Sequence, residues 1–151
     1  MAAYSLDRVT EVAAAARRRR REWSTREQVV ATYRGRPPFN RWDPEVLSLY
    51  VERGTEEDDA GAVKLKCPPH IEAQVFEGYL DLDAWALVPL VNADVLILMG
   101  GETEPIYSFA ATDLAARLRR GRLVVVDGAS HFLPMERPDL VAQLVRDFLV
   151  T

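Results

Sequence analysis

Two apolar stretches in the second half of the chain decide the fold: DVLILMGG at residues 94–101 and LVVVDGASH at residues 123–131. Uninterrupted apolar runs that end at glycine or at Asp-Gly are typical of strands buried on both faces of a sheet. A helical pattern separates the runs over residues 109–120, and a strongly amphipathic period follows over residues 139–149. The order strand, helix, strand, helix predicts an α/β fold with two parallel strands and a right-handed crossover.

Polar residues follow each predicted strand, at the carboxyl ends of the strands where parallel sheets bind their ligands. The segments are GGETEP at residues 100–105 and DGASHFLPMERP at residues 127–138. A strand ending in Gly, an acid followed by Pro, then a Gly-x-x-His loop leading to Glu-x-Pro and a last helix, resembles the C-terminal part of an α/β-hydrolase. The resemblance implies that His131 is a general base and that Glu104 is the carboxylate orienting it.

The chemistry of these residue types suits the implied roles. A neutral imidazole can accept and return a proton within one catalytic cycle near neutral pH. Neighbouring parallel strands lie about 5 Å apart, so loops that leave their same ends can bring Glu104 to His131. Most members of the family carry Asp at the acid position, and Glu102 is the alternative acid. Either glutamate can instead be a solvated loop residue, and His131 a loop histidine satisfied by backbone groups.

The nucleophile of the family is missing from the sequence. No Gly-x-Ser-x-Gly pentapeptide occurs in the 151 residues, and Ser130 is the immediate neighbour of His131, which makes it a poor target for that base. Two strands alone also make an incomplete sheet. We therefore expect the C-terminal portion of an α/β-hydrolase, inactive alone: a truncated product, or a half that pairs with an N-terminal half.

The first 88 residues resemble the helical cap of bacterial α/β-hydrolases. Helices are predicted from a Ser5 cap to about Arg21, from Ser24 with Glu27 as its capping-box partner to Gly35, and from an Asp43 cap to Gly54. Residues 55–61 read as an acidic loop, residues 63–67 as a strand and residues 71–77 as a helix. The predicted domains are thus a cap at 1–88 and a β-α-β-α core at 89–151.

Aromatic residues of the cap are candidates for the wall of a substrate pocket, because such lids line the pocket with apolar side chains. The residues assigned to substrate binding are Phe39, Trp42 and Trp85. Ordinary core packing is the alternative for each of them. The expected substrate is a small, apolar, ester-like molecule, and no cofactor or metal is expected.

The charge of the chain is uneven, although its net value is only −4. Residues 1–42 hold ten Lys/Arg against four Asp/Glu, and the remaining residues nine against nineteen. The run Arg17 to Arg21 could serve a helical adaptor or a complementing partner, which is the alternative function. No aromatic residues are interleaved with the arginines and the rest is acidic, so nucleic acid is not an expected partner.

Nothing in the sequence predicts a membrane protein. No run approaches the roughly 20 apolar residues of a membrane span, and the N-terminus lacks a secretory pattern. The single cysteine, Cys67, cannot form an internal disulfide, and we expect it to be a buried or half-buried apolar side chain. These features favour the cytoplasm.

Overall fold

The computed structural model describes residues 6–78 and 84–150. The chain forms two compact units, one within residues 4–82 and the other within residues 83–151. We call their described parts the N-terminal unit (6–78) and the C-terminal unit (84–150). Their predicted roles as cap and core stay predictions.

The N-terminal unit contains four helices and three short strands. The helices are α1 (Leu6–Arg17), α2 (Arg26–Arg34), α3 (Pro44–Gly54) and α4 (Pro69–Gly78), with a 3-10 turn at Phe39–Arg41. The strands β1 (Glu22–Trp23), β2 (Thr55–Glu57) and β3 (Val63–Leu65) form an antiparallel sheet in the order β1-β3-β2. The predicted helices and the predicted strand near residue 63 are therefore present.

The core of this unit follows the apolar stripes of its helices. Ala13 and Ala16 of α1 are buried together with Ala73 of α4, and small side chains let two helices approach closely. Leu47 and Val51 of α3, four residues apart, are each 1% exposed. Spacings of three and four residues put side chains on one helix face, which is why the sequence pattern predicted these stripes.

Three details of the N-terminal unit differ from the sequence prediction. Helix α1 ends at Arg17 rather than near Arg21, and its predicted cap, Ser5, lies outside the described residues. The N-cap of α2 is Thr25, whose hydroxyl accepts a hydrogen bond from the Gln28 amide, and not Ser24. Ser24 directly follows strand β1, so the extended backbone reaches one residue further before the helix begins.

Strands β1 and β2 were not predicted. Glu22 and Trp23 pair with Lys64 and Val63, while Thr55 to Glu57, read from the sequence as part of an acidic loop, pair with the other side of β3. Both are edge strands of two or three residues held through backbone hydrogen bonds, and their charged side chains are typical of edges. Neither strand shows the alternation of apolar and polar residues that predicts β3.

The Asp43 cap of α3 is confirmed and gives a testable prediction. Its Oδ1 atom accepts hydrogen bonds from the amides of Glu45 and Val46 at 2.9 and 3.2 Å. An Asp43→Ala variant is expected to lose about 1 kcal/mol of unfolding free energy, because these amides lose their acceptor. Urea unfolding followed by tryptophan fluorescence measures the loss. Asp59→Ala, the same change at an exposed loop position, is the control, and equal midpoints for both variants would contradict the capping role.

The C-terminal unit has the predicted order of strand, helix, strand, helix. A 3-10 helix at Ala84–Leu90 precedes β4 (Val95–Gly100), α5 (Pro105–Arg117), β5 (Gly121–Val126), α6 (Leu133–Glu136) and α7 (Pro138–Leu149). Strands β4 and β5 pair in parallel, in register from Val95 opposite Gly121 to Gly100 opposite Val126. The predicted parallel pair is confirmed, and the two strands end at the same edge.

The apolar pattern of both strands is typical of burial on two faces, but these faces are only partly covered in this chain, as expected of an incomplete sheet. The side chains of β4 are half-buried up to Met99, and Val125 of β5 is 48% exposed. Helix α7 also leaves apolar side chains exposed, including Leu140, Val145 and Leu149. A two-stranded sheet has too few neighbours to cover its faces, even though its composition is that of a covered sheet.

No helix within the described ranges is long and apolar enough to cross a membrane.

Candidate active site at the carboxyl ends of two parallel strands

The loop that carries His131 packs directly against the end of β4. A Cβ atom at Gly100 would lie 2.2 Å from the Ser130 carbonyl oxygen and 2.3 Å from that of Ala129. The loop backbone thus occupies the space that a side chain would need. Gly128 opens the loop with a φ of +69°, a left-handed conformation that favours glycine. The two glycines of the motif therefore bring His131 close to the edge of the sheet.

A carboxylate links the two ends of the histidine loop by hydrogen bonds. Glu136 of α6 accepts one hydrogen bond from the Ser130 amide at 3.0 Å and another from the Ser130 hydroxyl. That hydroxyl in turn accepts a hydrogen bond from the Phe132 amide at 3.2 Å. The amide and the hydroxyl of Ser130 thus both contact Glu136, and the exclusion of this serine as the nucleophile stays a prediction. Glu136 belongs to the sequence motif, but its contact with Ser130 is not predictable from the sequence.

The segment with the two candidate acids runs alongside the histidine loop. The Gly101 amide donates to the Val126 carbonyl at 2.7 Å, and the Glu102 amide to the Ala129 carbonyl at 2.9 Å. Glu104 is the N-cap residue of α5, which begins at Pro105. The structure thus brings both segments together at one edge of the sheet. The contact between the Glu104 carboxylate and the His131 imidazole, and the choice between Glu104 and Glu102, stay predictions.

Tyr107 contacts His131 directly, and the sequence motif does not predict this contact. The two rings are stacked, with centroids 4.3 Å apart and planes inclined by 26°. Phe132 adds an edge-on contact to the imidazole at 5.5 Å. The three-residue spacing between Glu104 and Tyr107 in the sequence was the available signal, since it puts both one turn apart at the start of α5.

A mainly apolar cavity of about 280 Å³ adjoins this edge. Its lining includes His131, Tyr107, Thr103, Met99, Leu133 and Pro134. The Thr103 hydroxyl is buried and has no hydrogen-bond partner among the described residues. A small apolar space with a few polar groups is the usual form of a ligand pocket.

The aromatic residues assigned to a pocket wall fall in different units. Phe39 and Trp42 contact each other in the N-terminal unit, with ring centroids 4.8 Å apart, and Trp42 is only 8% exposed. Trp85, in the C-terminal unit, is half-buried with the Arg117 guanidinium 5.5 Å from its ring centre. Their assignment to substrate binding stays a prediction.

The arginine run makes contacts within its own unit. Arg17 pairs with Glu77 at 2.7 Å, and Arg19 pairs with Glu72 at 2.5 Å and donates to the Tyr33 hydroxyl at 3.1 Å. Hydrogen bonding to Glu77 raises the pKa of Arg17. Burial alone would lower the pKa of Arg19, but its hydrogen bonds, first of all to Glu72, outweigh burial and raise it. These two arginines help to hold α1 on α4.

Two further observations concern chemistry elsewhere in the molecule. Cys67 is exposed, so the prediction of a buried or half-buried side chain is wrong; Cys67 lies two residues after the end of β3 and directly before Pro68. Within residues 6–78 and 84–150, no group of three or more His, Cys, Asp or Glu side chains is placed to hold a metal ion.

Comparison with known proteins identifies the family of the chain. Residues 2–144 match the sequence profile of the alpha/beta hydrolase family. The chain belongs to this family. Among curated alpha/beta hydrolases it is 26% identical to the abhydrolase domain-containing protein ACTT2-1 of Alternaria alternata, over 87% of this chain and 63% of that protein. A stretch covering 35% of the chain is 38% identical to epoxide hydrolase A of Mycobacterium tuberculosis, 17% of which it covers.

Solved structures of alpha/beta hydrolases share the fold. E-2-(acetamidomethylene)succinate hydrolase superposes with a TM-score of 0.73 and 22% identity, over 94% of this chain and 53% of that one. An esterase from Mycobacterium tuberculosis superposes with a TM-score of 0.65 and 16% identity, over 99% of this chain and 50% of that one. The chain therefore spans about half the length of these structures and, at 63%, less than two thirds of the curated relative.

Proposed function

We propose that this chain provides the base and the acid of an α/β-hydrolase active site, with His131 as general base and Glu104 as its orienting carboxylate. The observation that carries the proposal is the parallel pairing of β4 with β5. Because of this pairing, the segments that carry the two side chains leave the same edge and are joined by backbone hydrogen bonds. Glu102 is retained as the alternative acid.

The proposed reaction is acyl transfer from an ester to water. His131 takes the proton from a nucleophilic hydroxyl as the oxygen attacks the ester carbonyl carbon. The imidazolium then returns that proton to the departing alkoxide, and an acyl-enzyme remains. In the second half, His131 takes a proton from water as the water attacks the acyl carbon, and returns it to the nucleophile. Glu104 stabilises the imidazolium in both halves.

The nucleophile is proposed to come from residues outside this sequence. The chain contains no Gly-x-Ser-x-Gly elbow and spans 53% of the hydrolase with which it shares the fold. The half-covered faces of β4 and β5 support the same view, because apolar strands of this kind normally lie inside a larger parallel sheet. We propose that the chain alone is inactive and that activity needs an N-terminal half.

The proposed substrate is a small apolar ester. Support comes from the apolar cavity of about 280 Å³ beside His131 and from the esterase among the structures that share the fold. Phe39, Trp42 and Trp85 stay proposed substrate-binding residues. The cytoplasm is the proposed location, because one cysteine without a disulfide partner suits a reducing compartment.

The proposal is tested by restoring the missing half. The chain is assayed with short-chain p-nitrophenyl esters, alone and after co-expression with the segment encoded upstream of codon 1, provided that this segment contains a Gly-x-Ser-x-Gly elbow. We expect turnover only when both halves are present, because neither half holds nucleophile and base together. Turnover by the isolated chain that survives His131→Ala would contradict the proposal.

A further inference from the structure

We propose that Tyr107 is a positioning residue that holds the imidazole of His131 at the edge of the sheet. The inference rests on the proposed role of His131 as general base. It assigns a task to a side chain that the hydrolase motif does not contain. The argument depends on the stacked contact of the two rings, on the anchoring of Tyr107 and on the directions in which an imidazole forms hydrogen bonds.

His131 needs a restraint because it lies at an exposed position. An exposed side chain exchanges among rotamers within nanoseconds, whereas a general base must remain aligned with its proton donor. The hydrogen bonds between Ser130 and Glu136 hold the backbone on the N-terminal side of His131. They do not restrain the two side-chain torsions of the imidazole. A contact to the ring itself is required, and Tyr107 supplies one.

The stacked geometry restrains the imidazole without blocking its nitrogens. The centroid separation of 4.3 Å and the inclination of 26° put the face of the phenol ring against the face of the imidazole. Both imidazole nitrogens form their hydrogen bonds in the ring plane. One nitrogen therefore remains available to a carboxylate and the other to a nucleophile. Phe132, at 83° to the imidazole, meets it edge-on and further limits its rotation.

Tyr107 is itself held at the start of α5. Its backbone amide donates to the Glu104 carbonyl at 3.0 Å, and its side chain is half-buried. The first turn of one helix thus carries the proposed acid and the ring that stacks on the proposed base. A shift of this turn would move both together, which preserves their spacing relative to each other.

The test reads the imidazole directly and needs no turnover. The chain has two histidines, His70 and His131, so an NMR spectrum of the full chain contains two sets of imidazole signals, which a His70→Gln variant assigns. A stacked aromatic ring shifts the protons beneath it upfield. In Tyr107→Leu the His131 ring protons are expected to move downfield, with His70 unchanged. The comparison is made at both end points of the titration, which separates ring current from protonation.

Two further variants show whether the ring is responsible. Tyr107→Phe retains the aromatic face and is expected to keep the unmodified His131 shifts. Phe109→Leu, at a 64% exposed position on the same helix, removes an aromatic ring elsewhere and is expected to leave them unchanged. The inference would be overturned if the His131 shifts were unchanged in Tyr107→Leu. It would also be overturned if these signals moved as far downfield in Tyr107→Phe as in Tyr107→Leu.

A measurement on the unmodified chain keeps the test decisive if Tyr107→Leu does not fold. Nuclear Overhauser contacts between the ring protons of Tyr107 and His131 are expected, and their absence in the folded chain would also overturn the inference. The outcome is separate from the proposed function. Stacked rings together with an inactive reconstituted enzyme would reject the hydrolase role and leave the contact between Tyr107 and His131 established.

Discussion

A Gly100→Ala variant is expected to lose the folded arrangement of β4, β5 and the histidine loop. The added Cβ would lie 2.2 Å from the Ser130 oxygen, 2.3 Å from the Ala129 oxygen and 2.7 Å from the Ala129 carbonyl carbon. All three atoms belong to the backbone, so no side chain can rotate away to relieve the overlap. We expect a cost of about 3–5 kcal/mol, above the usual range for overpacking. That is comparable with the whole stability of a small unit.

Hydrogen exchange read by mass spectrometry measures this effect region by region. Amides of β4 and β5 are expected to lose protection in Gly100→Ala, while the amides of α3, in the other unit, serve as the internal reference. Gly101→Ala is the matched control. A Cβ at Gly101 meets its nearest atoms at 3.4 Å, which is ordinary van der Waals contact, so its protection should equal that of the unmodified chain. Equal protection of the β4 and β5 amides in both variants would contradict the prediction, because it would mean that the histidine loop moves aside at little cost.

The contrast between these two glycines shows what a sequence can and cannot predict. The motif Gly100-Gly101 predicts a strand end followed by a loop. Nothing in the sequence distinguishes the glycine that faces the carbonyls of the histidine loop from its neighbour. That distinction depends on how closely Ala129 and Ser130 approach Gly100, which precedes them by 29 and 30 positions. Such an approach is a property of the tertiary structure.

The regular elements were predictable where the pattern was long. β4, β5 and α7 each contain six or more residues, and the apolar runs of the strands and the apolar period of the helix predict each element to within a few residues of its bounds. β1 and β2 have two and three residues and pair through their backbone. Backbone pairing has no residue signature, so these strands were missed. Ser24 and Thr25 are both good caps, and only the end of β1 decides between them.

The candidate site was predictable in its residue types but not in its contacts. His131 is predicted as the base because a histidine after Gly-x-x at a strand end resembles a known motif. Tyr107 was missed because the spacing along α5 determines a helix face but not which ring the side chain meets. The carboxylate of Glu136 was read as part of the motif, and only the structure shows that it binds Ser130. Side-chain partners across loops are set by packing.

In the enzyme reconstituted from both halves, His131→Ala is expected to reduce kcat/KM for p-nitrophenyl esters on the order of a thousandfold or more. The reason is that the substitution removes the proposed proton acceptor, and general bases contribute effects of this size. The decrease is expected in kcat and not in KM, because the imidazole acts on proton transfer in the transition state rather than on substrate binding. His70→Ala, which removes the other histidine, at an exposed position on α4, should keep full activity. A comparable loss in both variants would contradict the assignment.

Glutamine variants of the two glutamates decide which of them is the acid. Glu104→Gln keeps the shape of the side chain and removes the charge that stabilises the imidazolium, so kcat is expected to fall by roughly a hundredfold or more. Glu102→Gln should have little effect. The Glu102 amide is engaged with the Ala129 carbonyl, and this backbone contact survives the substitution, so any loss in Glu102→Gln reports its carboxylate and not a displaced loop. A larger loss of kcat in Glu102→Gln than in Glu104→Gln would transfer the orienting role to Glu102. If both variants were as active as the unmodified enzyme, neither glutamate of this segment would be the carboxylate partner of His131.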